Sequence, residues 1–343
     1  MNIELLKEIC EIAGAPGFER RISDLVLKNL EGLADDIHVD NMGNITAFKK
    51  GRTDKKVMVA AHMDEIGFIV THVDDKGFIK FHTLGGFDPK TLTAQRVIVH
   101  GKRDVLGVMG SKPIHIMSPE ERNKAPKIKD YFIDVGLPKE EVEKLISVGD
   151  PVTRERTLEK VGTTVCCKSI DNRVSVFILI EALKLLKDPA CDVHAVFTVQ
   201  EEIGIRGANV ATLRINPDYG IGLDTTIAFD TPGSTPHERV TALGKGVAIK
   251  IMDASTICDP RMVAFMKKQA DEAGLEWQPE ILPAGGTDTA GIQRMTAGGS
   301  IAGAISIPTR HIHSVIEMAD RSDIQGAITL LTACLENLDK GEW

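Results

Sequence analysis

The stretch "KKVMVAAHMDEIG", Lys55 to Gly67, decides the fold. Its apolar part, Val57 to Ala61, is continuous rather than alternating. So short a run, apolar at every position, suits a strand buried on both faces, as in sheets covered by helices on each side. The run ends in His62, and Asp64 follows two residues later. An imidazole and a carboxylate are thereby set at the end of a strand, the edge where open α/β sheets place their ligand sites.

The surrounding rhythm points the same way. Residues 3–13 and 18–32 carry apolar residues at helical spacing on either side of "GAPG". "DIHVDNMGNITAFKKG" reads as a hairpin turning at Asn41–Asn44. Beyond residue 162, strand and helix patterns alternate. "TVCCKSI" precedes "NRVSVFILIEALKLLK", and "VHAVFTV" precedes "RGANVATL". "YGIGLD", "VAIKIMD" and "SIAGAISIP" are further strands, with "PRMVAFMKKQADEAG" a helix among them. The closing helix takes Asp320 as N-cap and buries Ile324, Ile328, Leu331 and Leu335 on one face. This alternation predicts an α/β sandwich around a central sheet. From Phe68 to about Val161 the pattern becomes one of short alternating strands with frequent turns and a polar loop, "SPEERNKAPKIKD". The expected organisation is one α/β domain over 1–67 and 163–343, interrupted by a β-rich insertion over 68–162.

Composition bounds the function. The 343 residues include 41 basic and 49 acidic side chains, a net charge of −8, with no basic–aromatic cluster. That balance argues against a nucleic-acid or anionic-membrane surface. No apolar stretch approaches the roughly 20 residues that span a bilayer. The N-terminal segment "MNIELLKEICEIAGAPGF" carries acids and lacks a signal-peptide core, so a cytoplasmic protein is expected. Cys10, Cys166, Cys167, Cys191, Cys258 and Cys334 form no CxxC pair and read as buried reduced thiols.

The chemistry lies at strand ends. His62, Asp171, the pair Glu201–Glu202, Asp224 and His313 each stand at or just past the end of an apolar strand pattern. Imidazoles and carboxylates without thiolates suit Zn²⁺, Co²⁺ or Mn²⁺. Two histidines and at least three carboxylates exceed the needs of one catalytic zinc. They fit two ions about 3.5–4 Å apart, bridged by a carboxylate and a water. Asp64, at i+2 from His62 on an extended chain, is placed to accept the second ring N–H of that histidine. Strand alternation would send Glu201 and Glu202 to opposite sides, one as a ligand and the other as general base toward the water. Spacing leaves the order open, and it leaves a plain solvated acidic turn open as well. Glu65 reads as a surface acid.

The segments "AHMDEIGF", "SIDNRVSV", "VQEEIGIRGA", "GLDTT", "GGTDTAGIQ" and "IPTRHIHSVIEM", in this order, resemble the M42 family of metallo-aminopeptidases, the glutamyl and tetrahedral aminopeptidases. The resemblance implies a three-layer α/β/α metallopeptidase domain with a small inserted β-barrel that mediates dimerisation. It implies two divalent ions per subunit, short peptide substrates, and dimers that assemble into tetrahedral dodecamers. In that family's pattern His62 and Glu202 are terminal ligands of different ions. Asp171 bridges, Asp224 and His313 complete the two shells, Glu201 is the general base, and Asp64 orients His62. Asn172 departs from the pattern where relatives often have a second Asp, and His311 where they often have Tyr. His311 is read as a pocket or structural residue. Thr287 and Asp288 sit in a Gly-rich loop near that family's substrate pocket; they serve either specificity or structure, the structural reading being a turn where Gly285 and Gly286 supply positive φ and Asp288 caps a helix. Arg206 and Arg310 lie close to the motifs with no assigned role. His115 is set apart because the insertion that carries it can reach a neighbouring subunit. The rival readings are a metal-dependent deacylase, an endoglucanase (a label some relatives carry) and a noncatalytic assembly protein.

Overall fold

The computed structural model describes residues 1–343. The chain opens with helices α1 (Ile3–Glu11) and α2 (Arg20–Leu30), then strands β1 (Asp36–Val39), β2 (Ile45–Lys49) and β3 (Thr53–His62). Both helices are shorter than their apolar patterns. The Asn2 side chain caps α1, whereas Ile12 is already extended and Gly17 takes φ +85°, so the "GAPG" bend consumes the flanking residues. The hairpin β1–β2 turns where expected, with Val39 opposite Ile45.

A closed six-stranded barrel follows, built from β4 (Gly67–Val73), β5 (Ile79–Leu84), β6 (Arg96–His100), β7 (Asp104–Gly110), β8 (Phe132–Asp134) and β9 (Pro151–Arg154). Helices α3 (Pro119–Arg122) and α4 (Lys139–Leu145) lie in its connections. The polar loop is thus not wholly irregular. Ser118 and Glu121 form a capping box that opens α3, a signal legible in the S-x-x-E spacing. Alternate residues such as Val97, Val99, Val105 and Met109 point inward to a core shared with Phe68 and Val152. Burying each contributes roughly 1.5–3 kcal/mol. This core is separate from the main one, and Arg21 on α2 grips Asp104 on β7 through two 2.7 Å bonds across the junction.

The chain then returns through β10 (Glu159–Val161), β11 (Thr164–Cys167), α5 (Ile170–Leu185), β12 (Cys191–Thr198), α6 (Arg206–Ile215), β13 (Tyr219–Ile227) and β14 (Val247–Met252). It closes with α7 (Pro260–Glu272), β15 (Trp277–Ile281), α8 (Asp288–Arg294), β16 (Ile301–Arg310), β17 (Glu317–Asp320) and α9 (Arg321–Asn337). The main sheet runs β1-β2-β12-β3-β13-β16-β17-β11-β10, and β14 and β15 branch from β16. Its central strands are buried on both faces. Val57, Val59 and Ala61 of β3 pack toward α1, α5 and α9, while Met58 and Ala60 pack toward α6 and α8. The sandwich is therefore three-layered, as the apolar run predicts.

Strands β12, β3, β13 and β16 are mutually parallel. β11 shares their direction, because β17 pairs antiparallel with both β11 and β16. Five strands thus point their carboxyl ends to one edge, and the candidate ligands gather there.

Candidate metal centre

His62 is the last residue of β3 and points to the α8 side, in step with Met58 and Ala60. Asp224 does not end its strand, because β13 continues to Ile227. It faces the same side because it shares the parity of Gly222, whose missing Cβ would overlap Thr289 Oγ1 of α8. Asp171 lies four residues beyond β11, at the start of α5, with non-helical backbone angles at Asp171 and Asn172. The Asn172 amide donates to Leu223 O at 2.8 Å and ties this corner to β13. Glu201 and Glu202 are not strand residues either. β12 ends at Thr198, and Gln200 adopts φ +55° to open a turn. The two acids are therefore separated by a turn and not by strand alternation. His313 lies past β16 in a loop where both His311 and His313 have positive φ.

These residues form two donor groups that share one member. His62, Asp171 and Asp224 offer ligand atoms within 4.8 Å of one another, and so do Asp171, Glu202 and His313. Asp171 divides its oxygens between them. Oδ1 is 3.5 Å from His62 Nε2, and Oδ2 is 3.4 Å from His313 Nε2. Asp224 Oδ1 stands 3.7 Å from His62 Nε2, and Glu202 Oε2 stands 3.5 Å from His313 Nε2. Donors about 2.0–2.2 Å from a tetrahedral ion are themselves roughly 3.3–3.6 Å apart, so the spacing fits cations. Glu202 Oε1 is buried with no hydrogen-bond partner, an orphaned acceptor inside one group. Glu201 belongs to neither group, and its Oε2 is 3.9 Å from His62 Nε2.

The electrostatics asks for positive charge. Burial pushes the carboxyls of Glu201 and Glu202 well above their ordinary range, and Asp171 adds to the shift at Glu202. Burial also raises Asp224. Desolvation works against charge on His62, yet Asp171, Asp224 and Asp64 hold its pKa well above the usual value. Asp171, opposed by burial but flanked by both imidazoles, is driven below the ordinary carboxylate range. Two imidazoles cannot balance this many buried acids, whereas two divalent cations can.

Asp64 does more than the i+2 spacing suggests. Its Oδ1 is 3.4 Å from His62 Nδ1, and its own carbonyl oxygen is nearer, at 3.1 Å. Its carboxylate instead accepts the backbone N–H groups of Glu201 and Glu202, at 3.0 and 3.1 Å. Glu65 is not a surface acid. It is fully buried, 2.8 Å from Lys168 Nζ and 3.7 Å from Arg173 Nη2. Asp288 is not a cap, since Thr287 holds the N-cap position of α8; Asp288 is buried and accepts a hydrogen bond from Thr198 Oγ1. Burial raises its carboxyl to about 7. Gly285 has positive φ, but Gly286 does not and packs against Ser255. His311 is exposed and His115 lies on an exposed loop, both outside the donor groups. Arg310 pairs with Asp230 through bonds of 2.5 and 2.7 Å, and Arg206 reaches only Gln200.

Two residues escaped the sequence reading. Glu317, fully buried on β17, accepts the N–H groups of Asp171 and His313. Glu19, past the "GAPG" bend, accepts the Gln200 N–H at 3.1 Å. Each is a lone acid in otherwise apolar sequence ("SVIEM", "APGFE"), a faint signal that becomes clear only from its partners. A cavity of about 530 Å³ opens over the donor groups, walled by Thr226, Ile227, Ser255, Leu282 and Gly286. Lys250, in that wall, is neutralised by Glu280 at 2.8 Å and Asp253 at 3.1 Å. A larger cavity, about 890 Å³, lies between the α1–α2 connection and β9 and holds neither donor group.

Comparison with known proteins agrees with this arrangement. The family profile described as M42 glutamyl aminopeptidase matches residues 43–330. The lysyl aminopeptidase of Pyrococcus furiosus is 34% identical, over 98% of this chain and 97% of its own. A TET aminopeptidase structure from a marine-sediment Thaumarchaeota archaeon superposes with a TM-score of 0.95 at 36% identity, covering 98% of this chain and 96% of that one. The TET1 peptidase of Pyrococcus horikoshii, described as assembling into a tetrahedron or a large octahedral shell, superposes with a TM-score of 0.87 at 30% identity, covering 97% and 98%.

Proposed function

Because this chain belongs to the M42 glutamyl aminopeptidase family and is thereby a peptide hydrolase, we propose that it removes N-terminal residues from short peptides at a site holding two divalent cations. The observation that carries the reading is the division of the Asp171 carboxylate between the His62 and His313 donor groups. His62, Asp171 and Asp224 would hold one ion, and Asp171, Glu202 and His313 the other. Zn²⁺ or Co²⁺ suits this set best, and Mn²⁺ is compatible. Such a pair of ions polarises the scissile carbonyl and makes water acidic enough to be a nucleophile near neutral pH.

The chain supplies the proton path. Glu201, outside both donor groups yet beside His62, takes the proton from the attacking water and passes it to the departing amine. Two cations beside it would keep it ionised against the pull of burial. Asp64 holds His62 and the Glu201–Glu202 turn in register. A peptide enters from the 530 Å³ cavity, with its free amine toward the ions.

Exposed Leu106, Val108, Ile114 and Ile116 on the barrel and its loop support self-association through that unit, first as a dimer and then as a tetrahedral dodecamer. No helix is long and apolar enough to cross a membrane, and the six cysteines are unpaired, which supports a reducing, cytoplasmic setting. A panel of aminoacyl-p-nitroanilides assayed with metal-stripped protein and added Zn²⁺, Co²⁺ or Mn²⁺ tests the activity. N-acetylated substrates should resist cleavage. Metal-independent hydrolysis of a glucan, with none of a peptide, would favour the endoglucanase reading instead.

A further inference from the structure

Glu317 touches both donor groups without belonging to either. Its Oε1 accepts the His313 N–H at 2.9 Å, and its Oε2 accepts the Asp171 N–H at 2.9 Å. The residue is fully buried on β17, opposite Cys167 of β11, the strand that leads to Asp171. One rigid carboxylate therefore spans two chain segments 142 residues apart (313 − 171).

The two segments need such a tie to different degrees. His62 is the end of a central strand, and Asp224 lies within one, so their separation follows from the β3–β13 pairing. His313 has no such support. It lies in an irregular loop between β16 and β17, its backbone is at φ +63°, and its side chain is 35% exposed. A left-handed non-glycine residue persists only where its surroundings over-determine it, and the N–H bond to Glu317 is such a restraint. Arg154, buried on β9 of the barrel with all three guanidinium nitrogens unbonded, is the cation that works against the cost of burying the Glu317 carboxylate.

We propose that Glu317 is a positioning residue that fixes the separation of Asp171 and His313, and so builds the donor group of Asp171, Glu202 and His313. The other donor group shares Asp171 but takes His62 and Asp224 from paired strands, so it depends on Glu317 through one member and not two. This inference rests on the two-cation reading.

The test is calorimetric titration of metal-stripped, full-length protein with Co²⁺, alongside the visible Co²⁺ spectrum. His313→Ala marks which equivalent belongs to the Asp171–Glu202–His313 group. Glu317→Gln keeps the shape but leaves only one acceptor for two N–H groups. It should weaken that same equivalent roughly 10–100-fold and change its spectrum, while the other equivalent weakens less and the far-UV circular dichroism and the particle size stay as in the wild type. Glu317→Asp, one methylene too short to span both segments, should do likewise and decides the matter if Glu317→Gln does not fold. Both ions binding as in the wild type, or both weakening equally, overturns the positioning role. Wild-type protein that binds fewer than two Co²⁺ overturns the two-cation reading itself, and this inference with it.

Discussion

Asp64 Oδ1 accepts the Glu201 backbone N–H at 3.0 Å, and Asp64 Oδ2 accepts the next N–H, of Glu202, at 3.1 Å. Asp64 follows β3, and the two glutamates follow β12, so a buried carboxylate at one strand end sets the turn at its neighbour. Glu19 accepts the preceding N–H, of Gln200. Three consecutive amides are thus held by two acids. Asp64→Asn leaves one acceptor and turns an amide N–H₂ toward the remaining N–H. Turnover or metal affinity should fall about 10–100-fold, read by kcat and by metal content after dialysis.

Glu201→Gln should lower kcat by about 10²–10⁴-fold, the usual contribution of a general base. Metal content by elemental analysis should remain near that of the wild type, because Glu201 is in neither donor group. Full activity, or loss of metal, would reverse the roles given to Glu201 and Glu202.

Asp171→Ala removes the member common to both donor groups. Both equivalents of metal should be lost, with no activity recovered at millimolar Zn²⁺ or Co²⁺. His313→Ala should weaken only one equivalent. Chelation of the wild type should abolish peptidase activity, and added Co²⁺ or Zn²⁺ should restore it.

Glu65→Ala should destabilise without touching the chemistry. It leaves Lys168 and Arg173 as buried cations with no carboxylate, and stranding such charges costs roughly 3–5 kcal/mol. The denaturation midpoint measured on the metal-loaded protein should fall accordingly. A midpoint within experimental error of the wild type would remove this ion cluster from the stabilising interactions.

His194 governs part of the acid stability. Its ring packs 5.2 Å from Phe48, its Nε2 is buried without a partner, and burial lowers its pKa to about 4. As pH falls from about 6.5, the unfolded chain takes up the proton first, so stability is lost between roughly pH 6.5 and 4. Partial exposure of the ring limits the effect to about 1–3 kcal/mol. His194→Phe should flatten this limb relative to the wild type in denaturant melts from pH 4 to 7.

Much of the fold was legible because its signals are local. The run Val57–Ala61 can be buried on two faces only between helical layers, and the alternation of Val97, Val99, Val105 and Met109 suits a strand with one buried face. Expectations failed where a signal depended on partners. A period-two argument separated Glu201 from Glu202, but the strand had already ended at Thr198. Glu65 looked solvated because Lys168 and Arg173 lie more than 100 residues away. Asp288 looked like a cap until Thr198, at the end of β12, met it from 90 positions earlier in the chain.

The sequence by itself determined the layered α/β class, the β-rich insertion and the chemical types available at the strand ends. These follow from periodicity and residue chemistry within a few positions of the chain. The tertiary structure alone decided that the two oxygens of Asp171 face different histidines, that Glu201 stands outside both donor groups, and that Asp64 and Glu317 hold the backbones of residues far along the chain. The physical reason is that hydrogen bonds and ion contacts of 3–4 Å depend on how strand ends converge, and that convergence is set by sheet order and not by neighbours in sequence.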